Sequence, residues 1–246
     1  MLIVANWKAY VETSEKAKRL HAVAKRLAAT SMHDIVIAPP AVYLGYLSIG
    51  NRTKVQFASQ DLSISEGGAA TGETTAVQVT STGASYAIIG HSERRARGET
   101  DDTVSAKVER ALAEGLTPIV CIGEKERDAD ARYLAHLRDQ IAAVYGSLSP
   151  KDRARIVLAY EPIWAIGKTA SEAITPVDLT EMILYIRKLL TEHLSGKAST
   201  KTRILYGGSV EPGNVRALST SGIDGFLIGH ASTDAASFGA LVKAVA

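Results

Sequence analysis

The chain has 246 residues, 46% of them hydrophobic, with 28 Lys plus Arg against 26 Asp plus Glu for a formal charge of +2. That composition excludes a disordered chain and offers no basic surface for nucleic acid or an anionic membrane. Its one cysteine, Cys121, excludes an internal disulfide and a multi-cysteine metal site, and no run of about 20 apolar residues supplies a membrane span.

In chain order, short apolar runs alternate with longer stretches of helical period. Strands are predicted at residues 2–5, 35–38, 55–58, 86–89, 118–121, 156–159, 203–206 and 225–228. Each is nearly all apolar and bounded by Gly, Pro or polar residues, the pattern of parallel strands covered on both faces. Between them, Leu20, Val23, Ala24 and Leu27 share one helix face. Val104, Val108, Ala111 and Leu112 share a second, and Met182, Ile186, Leu189 and Leu190 a third. Eight βα units without a Pro/Ser-rich linker predict an α/β fold, a closed (βα)8 barrel forming a single domain over residues 1–246. A doubly wound sheet is the alternative, but the turn after the first strand reads Asn6-Trp7-Lys8 rather than G-x-G-x-x-G. The N-terminus enters a strand at once, without the basic and apolar segments of a secretory signal, so the expected location is cytoplasmic.

In such barrels chemistry gathers where strands end and loops begin. Asn6 and Lys8 follow the first strand, and Gly90-His91-Ser92-Glu93-Arg94-Arg95 the fourth. Glu161 follows the sixth, Gly207-Gly208-Ser209 the seventh, and Gly229-His230 the eighth. Behind Glu161 comes Pro162-Ile163-Trp164-Ala165-Ile166-Gly167, a loop able to swing as a unit. A carboxylate fixed by a strand and covered by a lid suits a base that must work away from water.

His91 opens a helix whose positive end disfavours the imidazolium, so a neutral hydrogen-bond donor is expected there. Glu93 is expected to orient His91 or Lys8, and Arg94 and Arg95 are read as solvated charge or salt bridges. Lys8 could balance a phosphate or a developing oxyanion, or serve as a Schiff-base amine, with Asn6 a neutral donor beside it. The glycines ending strands seven and eight point to a phosphate site, because they let backbone N–H groups approach an anion. The other five of the 6 histidines are scattered without metal-ligand spacing, so no metal is expected. Gly167-Lys168-Thr169 looks like the end of a P-loop, but Pro162 stands where its first glycine belongs, which rejects nucleotide binding by that motif.

Taken together, Asn6-Trp7-Lys8, the run from Gly90 to Arg95, the run from Ala159 to Gly167 and Tyr206-Gly207-Gly208-Ser209-Val210 resemble the triosephosphate isomerase family. Ile37-Ala38-Pro39-Pro40 and Thr71-Gly72-Glu73 stand in the expected places, and the likeness runs in order over essentially the whole chain. It implies a TIM barrel and a glycolytic and gluconeogenic aldose–ketose isomerase without cofactor or metal. Such an enzyme interconverts dihydroxyacetone phosphate and D-glyceraldehyde 3-phosphate by proton transfer through an enediolate. The resemblance makes Glu161 the base. His91 and Asn6 would polarise the carbonyl, with Glu93 behind them, and Lys8 would hold the substrate electrostatically. The phosphate would rest on backbone N–H groups of Gly167, Ser209, Gly229 and His230, under a lid at 162–170. Thr71-Gly72-Glu73 would be an arm reaching into a second subunit, which implies a homodimer.

Two departures from the family pattern stand out. The lid there usually continues Ala-Ile-Gly-Thr-Gly-Lys, whereas Gly167 is followed here by Lys168-Thr169-Ala170-Ser171, implying a shorter lid or a rebuilt far hinge. Strand eight usually ends Gly-Gly, and here Gly229 is followed by His230, where a positive φ would be strained. The His230 side chain is expected to turn away from the ligand. The competing readings are a non-catalytic phosphosugar-binding paralogue and a Schiff-base aldolase acting through Lys8.

Overall fold

The computed structural model describes residues 1–167 and 173–245, without the side chain of Lys197. Eight strands form it: β1 (Leu2–Asn6), β2 (Asp34–Ala38), β3 (Gln56–Ser59), β4 (Tyr86–Ile89), β5 (Thr117–Ile122), β6 (Val157–Tyr160), β7 (Ile204–Tyr206) and β8 (Gly225–Ile228). They close in sequence order into a barrel, all pairs parallel, with β1 joined to β2 on one side and β8 on the other. Each strand lies within one or two residues of its expected span. β6 is shifted one residue toward the C-terminus, so that Tyr160 is buried strand rather than loop.

The nearly continuous apolar character of these strands has a simple cause: both faces are covered. Alternate side chains fill the barrel itself, among them Leu2, Val4, Val36, Ile88, Ile119, Val157, Leu205 and Leu227. The intervening ones, such as Ile3, Ile35, Phe57, Val120, Leu158 and Phe226, pack outward against helices. Period-2 alternation therefore persists in where side chains point although polarity does not alternate.

The helix faces read from the sequence are buried. Leu20, Val23, Ala24 and Leu27 line the helix Ser14–Thr30, and Val104, Val108, Ala111 and Leu112 line Asp101–Ala113. Met182, Ile186, Leu189 and Leu190 line Pro176–His193. Thr13, Thr100 and Thr175 cap these helices by accepting backbone N–H groups of Lys16, Thr103 and Asp178, which places each start at a sharp turn out of a loop. The helical layer is less even than eight equal units: the crossover after β7 carries only Val215–Leu218, and that after β3 only Ala76–Ser81. No described helix is long and apolar enough to cross a membrane.

The closing seam depends on Gly225. Its Cα pairs with Leu2, and a Cβ added there would stand 1.9 Å from the Leu2 carbonyl oxygen. Neither strand can retreat, because Leu2 N–H also bonds Asp224 O at 2.9 Å and Leu205 faces Gly225 on the other side. Gly225→Ala should therefore destabilise the protein by about 3 kcal/mol, read as a lower urea midpoint at unchanged m-value.

Candidate active site

The ends of β1, β4, β6, β7 and β8 open onto one cavity of about 360 Å³. Asn6, Lys8, His91, Glu161, Gly167, Ser209, Gly229 and His230 all line it, so eight of the nine expected site residues share one space. Glu93 borders the neighbouring cavity and reaches the site through Lys8.

Glu161 is 2% exposed and His91 6% exposed. A buried carboxylate needs hydrogen bonds to replace water. Glu161 Oε2 accepts the Ser92 N–H at 3.1 Å, and Oε1 faces His91 Nε2 at 3.3 Å. Room for the side chain comes from β7: a Cβ on Gly207 would lie 2.8 Å from Glu161 Cγ. That glycine clears space for the base as well as bringing backbone toward the cavity.

His91 obeys a local constraint more specific than a helix dipole. The helix it caps, Ser92–Arg95, has 4 residues, too short for a substantial macrodipole. Instead His91 Nδ1 accepts the Glu93 N–H at 3.1 Å. A nitrogen that accepts a backbone N–H carries no proton, so the neutral ring bears its hydrogen on Nε2, pointed at Glu161 and the cavity.

Lys8 adopts φ 45°, one of two non-glycine residues in the left-handed region among those described. Such a conformation costs on the order of 1–3 kcal/mol and persists only when its surroundings enforce it. Here they do. Lys8 N–H bonds Asn6 Oδ1 at 3.1 Å, its carbonyl accepts from Gln60 Nε2 at 3.0 Å, and its ammonium meets Glu93 Oε1 at 2.7 Å. Asn6 thereby spends its oxygen on Lys8, leaving its amide N–H groups as what it can offer a ligand. Burial works against the charge of Glu93, but the hydrogen bond and charge of Lys8 outweigh it and hold the carboxyl below the usual range. An ion-paired ammonium is a fixed cation and a poor nucleophile, which disfavours the Schiff-base reading.

Cys121 is buried beneath the site. Desolvation first, and the Glu161 charge second, push its thiol well above its ordinary pKa, as suits a structural thiol. No group of three or more His, Cys, Asp or Glu side chains placed to hold a metal occurs among the described residues.

Three residues escaped the sequence reading. Arg95, taken for solvated charge or a salt bridge, does pair with Asp101 at 2.5 Å, but it also ties the ends of β4 and β5 by donating to Gly90 O at 2.8 Å and Cys121 O at 3.3 Å. Gln60, after β3, holds Lys8 O and Ala38 O. Glu124, after β5, is 1% exposed and accepts from Tyr160 OH and Trp164 Nε1, both at 2.9 Å. Its carbonyl also accepts the Ile163 N–H at 2.9 Å, so it anchors the start of the loop behind Glu161. Applying the strand-end rule to β3 and β5 as well would have found Gln60 and Glu124. The near part of that loop is a single 3-10 turn, Ile163–Ala165, with the Arg127 guanidinium 5.0 Å above the Trp164 ring. The expected change of lid at Lys168-Thr169-Ala170-Ser171 lies outside the described residues.

The triosephosphate isomerase family model matches residues 1–245. The chain belongs to the triosephosphate isomerase family. It is 42% identical to the triosephosphate isomerase of Pelobacter propionicus, over 98% of this chain and 97% of the relative. Identity to that of Symbiobacterium thermophilum is 39%, covering 100% and 96%, and to that of Geobacter metallireducens 40%, covering 98% and 97%. Membership of this family makes the cavity at the strand ends the candidate catalytic centre.

Glu124→Ala would strand the Tyr160 hydroxyl and the Trp164 indole N–H without their acceptor. We expect a loss of about 3 kcal/mol in urea unfolding, with Glu124→Gln, which keeps an acceptor oxygen, losing less than half of that.

Proposed function

We propose that the chain acts as a single-domain aldose–ketose isomerase that interconverts dihydroxyacetone phosphate and D-glyceraldehyde 3-phosphate, with Glu161 as its base. The observation that carries this reading is a buried carboxylate, an imidazole whose Nδ1 accepts a backbone N–H, and a lysine converging on one cavity beside glycine-rich turns. The activity is that of an intramolecular oxidoreductase: hydrogen moves between adjacent carbons, and no external electron acceptor is needed.

Glu161 removes a proton from the carbon beside the carbonyl. The electron pair left behind makes an enediolate, and return of the proton to the neighbouring carbon completes the isomerisation. His91 Nε2–H and the Asn6 amide donate to the oxygens where negative charge develops, and the Lys8 ammonium stabilises the same charge. Glu93 sets Lys8 by its ion pair and His91 by its backbone N–H. Backbone N–H groups of Gly167, Ser209, Gly229 and His230 receive the phosphate.

Before it takes a proton from carbon, Glu161 must give up the Ser92 N–H. The loop that begins at the next residue carries Pro162–Gly167, so its closure over the site and the approach of the base form one motion. Closure keeps water from the enediolate and prevents elimination of phosphate. The substrates are small phosphorylated sugars, charged and unable to cross a membrane unaided, consistent with a cytoplasmic enzyme.

We further assign a homodimer. Tyr10, Val42, Tyr46, Ile64 and Val77 are exposed apolar groups in the loops and helices that follow β1 to β3. Next to them lies a cavity of about 540 Å³ lined by Lys8, His91 and Glu93, suited to a partner's Thr71-Gly72-Glu73 arm. Association through that cavity would brace Lys8 and Glu93, linking assembly to catalysis.

A coupled assay with D-glyceraldehyde 3-phosphate tests the reaction and the base together. The wild type should turn over rapidly and Glu161→Asp should lose about two orders of magnitude in kcat; binding without turnover would reject the isomerase. Sedimentation should show a dimer, and removing residues 71–73 should yield monomers with depressed kcat. Monomers of undiminished activity would separate assembly from catalysis.

A further inference from the structure

We propose that the His230 side chain, and not its backbone alone, is a phosphate-binding group that adds a hydrogen bond to the anionic end of the substrate. The proposal rests on the phosphate site described above.

His230 begins the 3-10 turn His230–Thr233 and lines the active-site cavity together with Gly229, Ser209 and Lys8. It is exposed at the cavity mouth rather than packed into the core. The strain foreseen for a side chain here does not arise, because only Lys8 and Ala131 among described non-glycine residues have positive φ. The His230 ring packs against Tyr10, another lining residue, with ring centroids 5.4 Å apart at 81°. That edge-to-face geometry is the preferred one for such rings. Tyr10 is itself tied down: its N–H bonds Trp7 O at 3.2 Å, and its carbonyl accepts from Lys16 Nζ at 2.8 Å. A phenol ring carried on a fixed stretch of backbone thus packs against the imidazole at the mouth.

The charge environment suits an anion. The Lys8 ammonium lies 3.6 Å from where a Cβ on Gly229 would stand, so a fixed cation and the imidazole flank the same backbone turn. The other titratable groups sharing the cavity are Tyr10 from the loop after β1, His91 and Glu161, and Glu211 from the loop after β7. Of the acids, Glu161 is buried and bonded to Ser92, which leaves exposed Glu211 as the competing acceptor for an imidazole N–H. A glycine here could give a ligand only its backbone N–H. An imidazole adds a ring N–H donor.

Sulfate is the probe, since it mimics a phosphate dianion. Its dissociation constant would be measured by calorimetry at one fixed pH for the wild type, His230→Gln and His230→Gly. His230→Gly should bind sulfate about fivefold more weakly than the wild type, the scale of a partly solvated hydrogen bond to an anion, and His230→Gln, which keeps an N–H donor, should recover part of that loss. Variants that both bind as tightly as the wild type, or a wild type that does not bind sulfate, would each overturn the proposal. Turnover of D-glyceraldehyde 3-phosphate by the same wild-type sample reports separately on the isomerase reading, because calorimetry needs no catalysis.

Discussion

A carboxylate almost completely removed from water, yet kept ready to react, is the constraint around which the rest of this structure is arranged. Glu161 is 2% exposed, and an ionised group so placed is costly unless hydrogen bonds replace its hydration. The replacements come from the end of β4, where Ser92 N–H and His91 Nε2 face the two oxygens. His91 can present that nitrogen because its other one accepts the Glu93 N–H. Arg95 in turn ties that strand end to the end of β5. Within the run from Gly90 to Arg95, Ser92, Glu93 and Arg95 thus fix in turn Glu161, His91 and the strand end.

The same economy shapes the loop after β1. Lys8 is held in a left-handed conformation by bonds at its N–H, its carbonyl and its ammonium. Backbone strain enforced from three directions leaves the cation little freedom, and a charge that need not reorganise stabilises a developing oxyanion more effectively than a mobile one. On the far side of the cavity, Glu124 performs the equivalent task for the loop behind Glu161. It gathers Tyr160, Trp164 and Ile163 onto the end of β5. Glu161 and the start of the loop behind it are covalent neighbours, and both are anchored to the end of β5 and the chain that follows it.

The barrel was legible in the sequence because burial on both faces leaves its mark residue by residue: eight apolar runs cannot be mistaken for surface strands. Boundaries shifted where a polar end residue still pairs, as at Asn6, which continues β1 because its partner Ala38 continues β2. The catalytic candidates were legible because they are polar groups directly after strands. What the sequence concealed were long-range partners. Gln60 lies 52 positions from the carbonyl it holds, and Glu124 lies 36 and 40 from the two side-chain donors it accepts. No local pattern encodes such separations. For His91 the sequence suggested a helix dipole, whereas the structure shows a capping hydrogen bond from Glu93 N–H to Nδ1, which leaves the hydrogen of a neutral ring on Nε2. At His230 a rule about glycine and positive φ misjudged the backbone, and the neighbour that shapes the site, Tyr10, is distant in sequence.

The central claim is that hydrogen moves between carbons by way of a carboxylate base and an enediolate. Turnover of D-glyceraldehyde 3-phosphate in deuterium oxide, followed by proton NMR, tests it most directly. The account predicts deuterium from solvent at the carbon that receives the proton in the product, with incorporation lost in Glu161→Gln. A Glu161→Gln variant that turns the substrate over at the wild-type rate, with the wild-type level of deuterium in its product, would contradict the role given to Glu161.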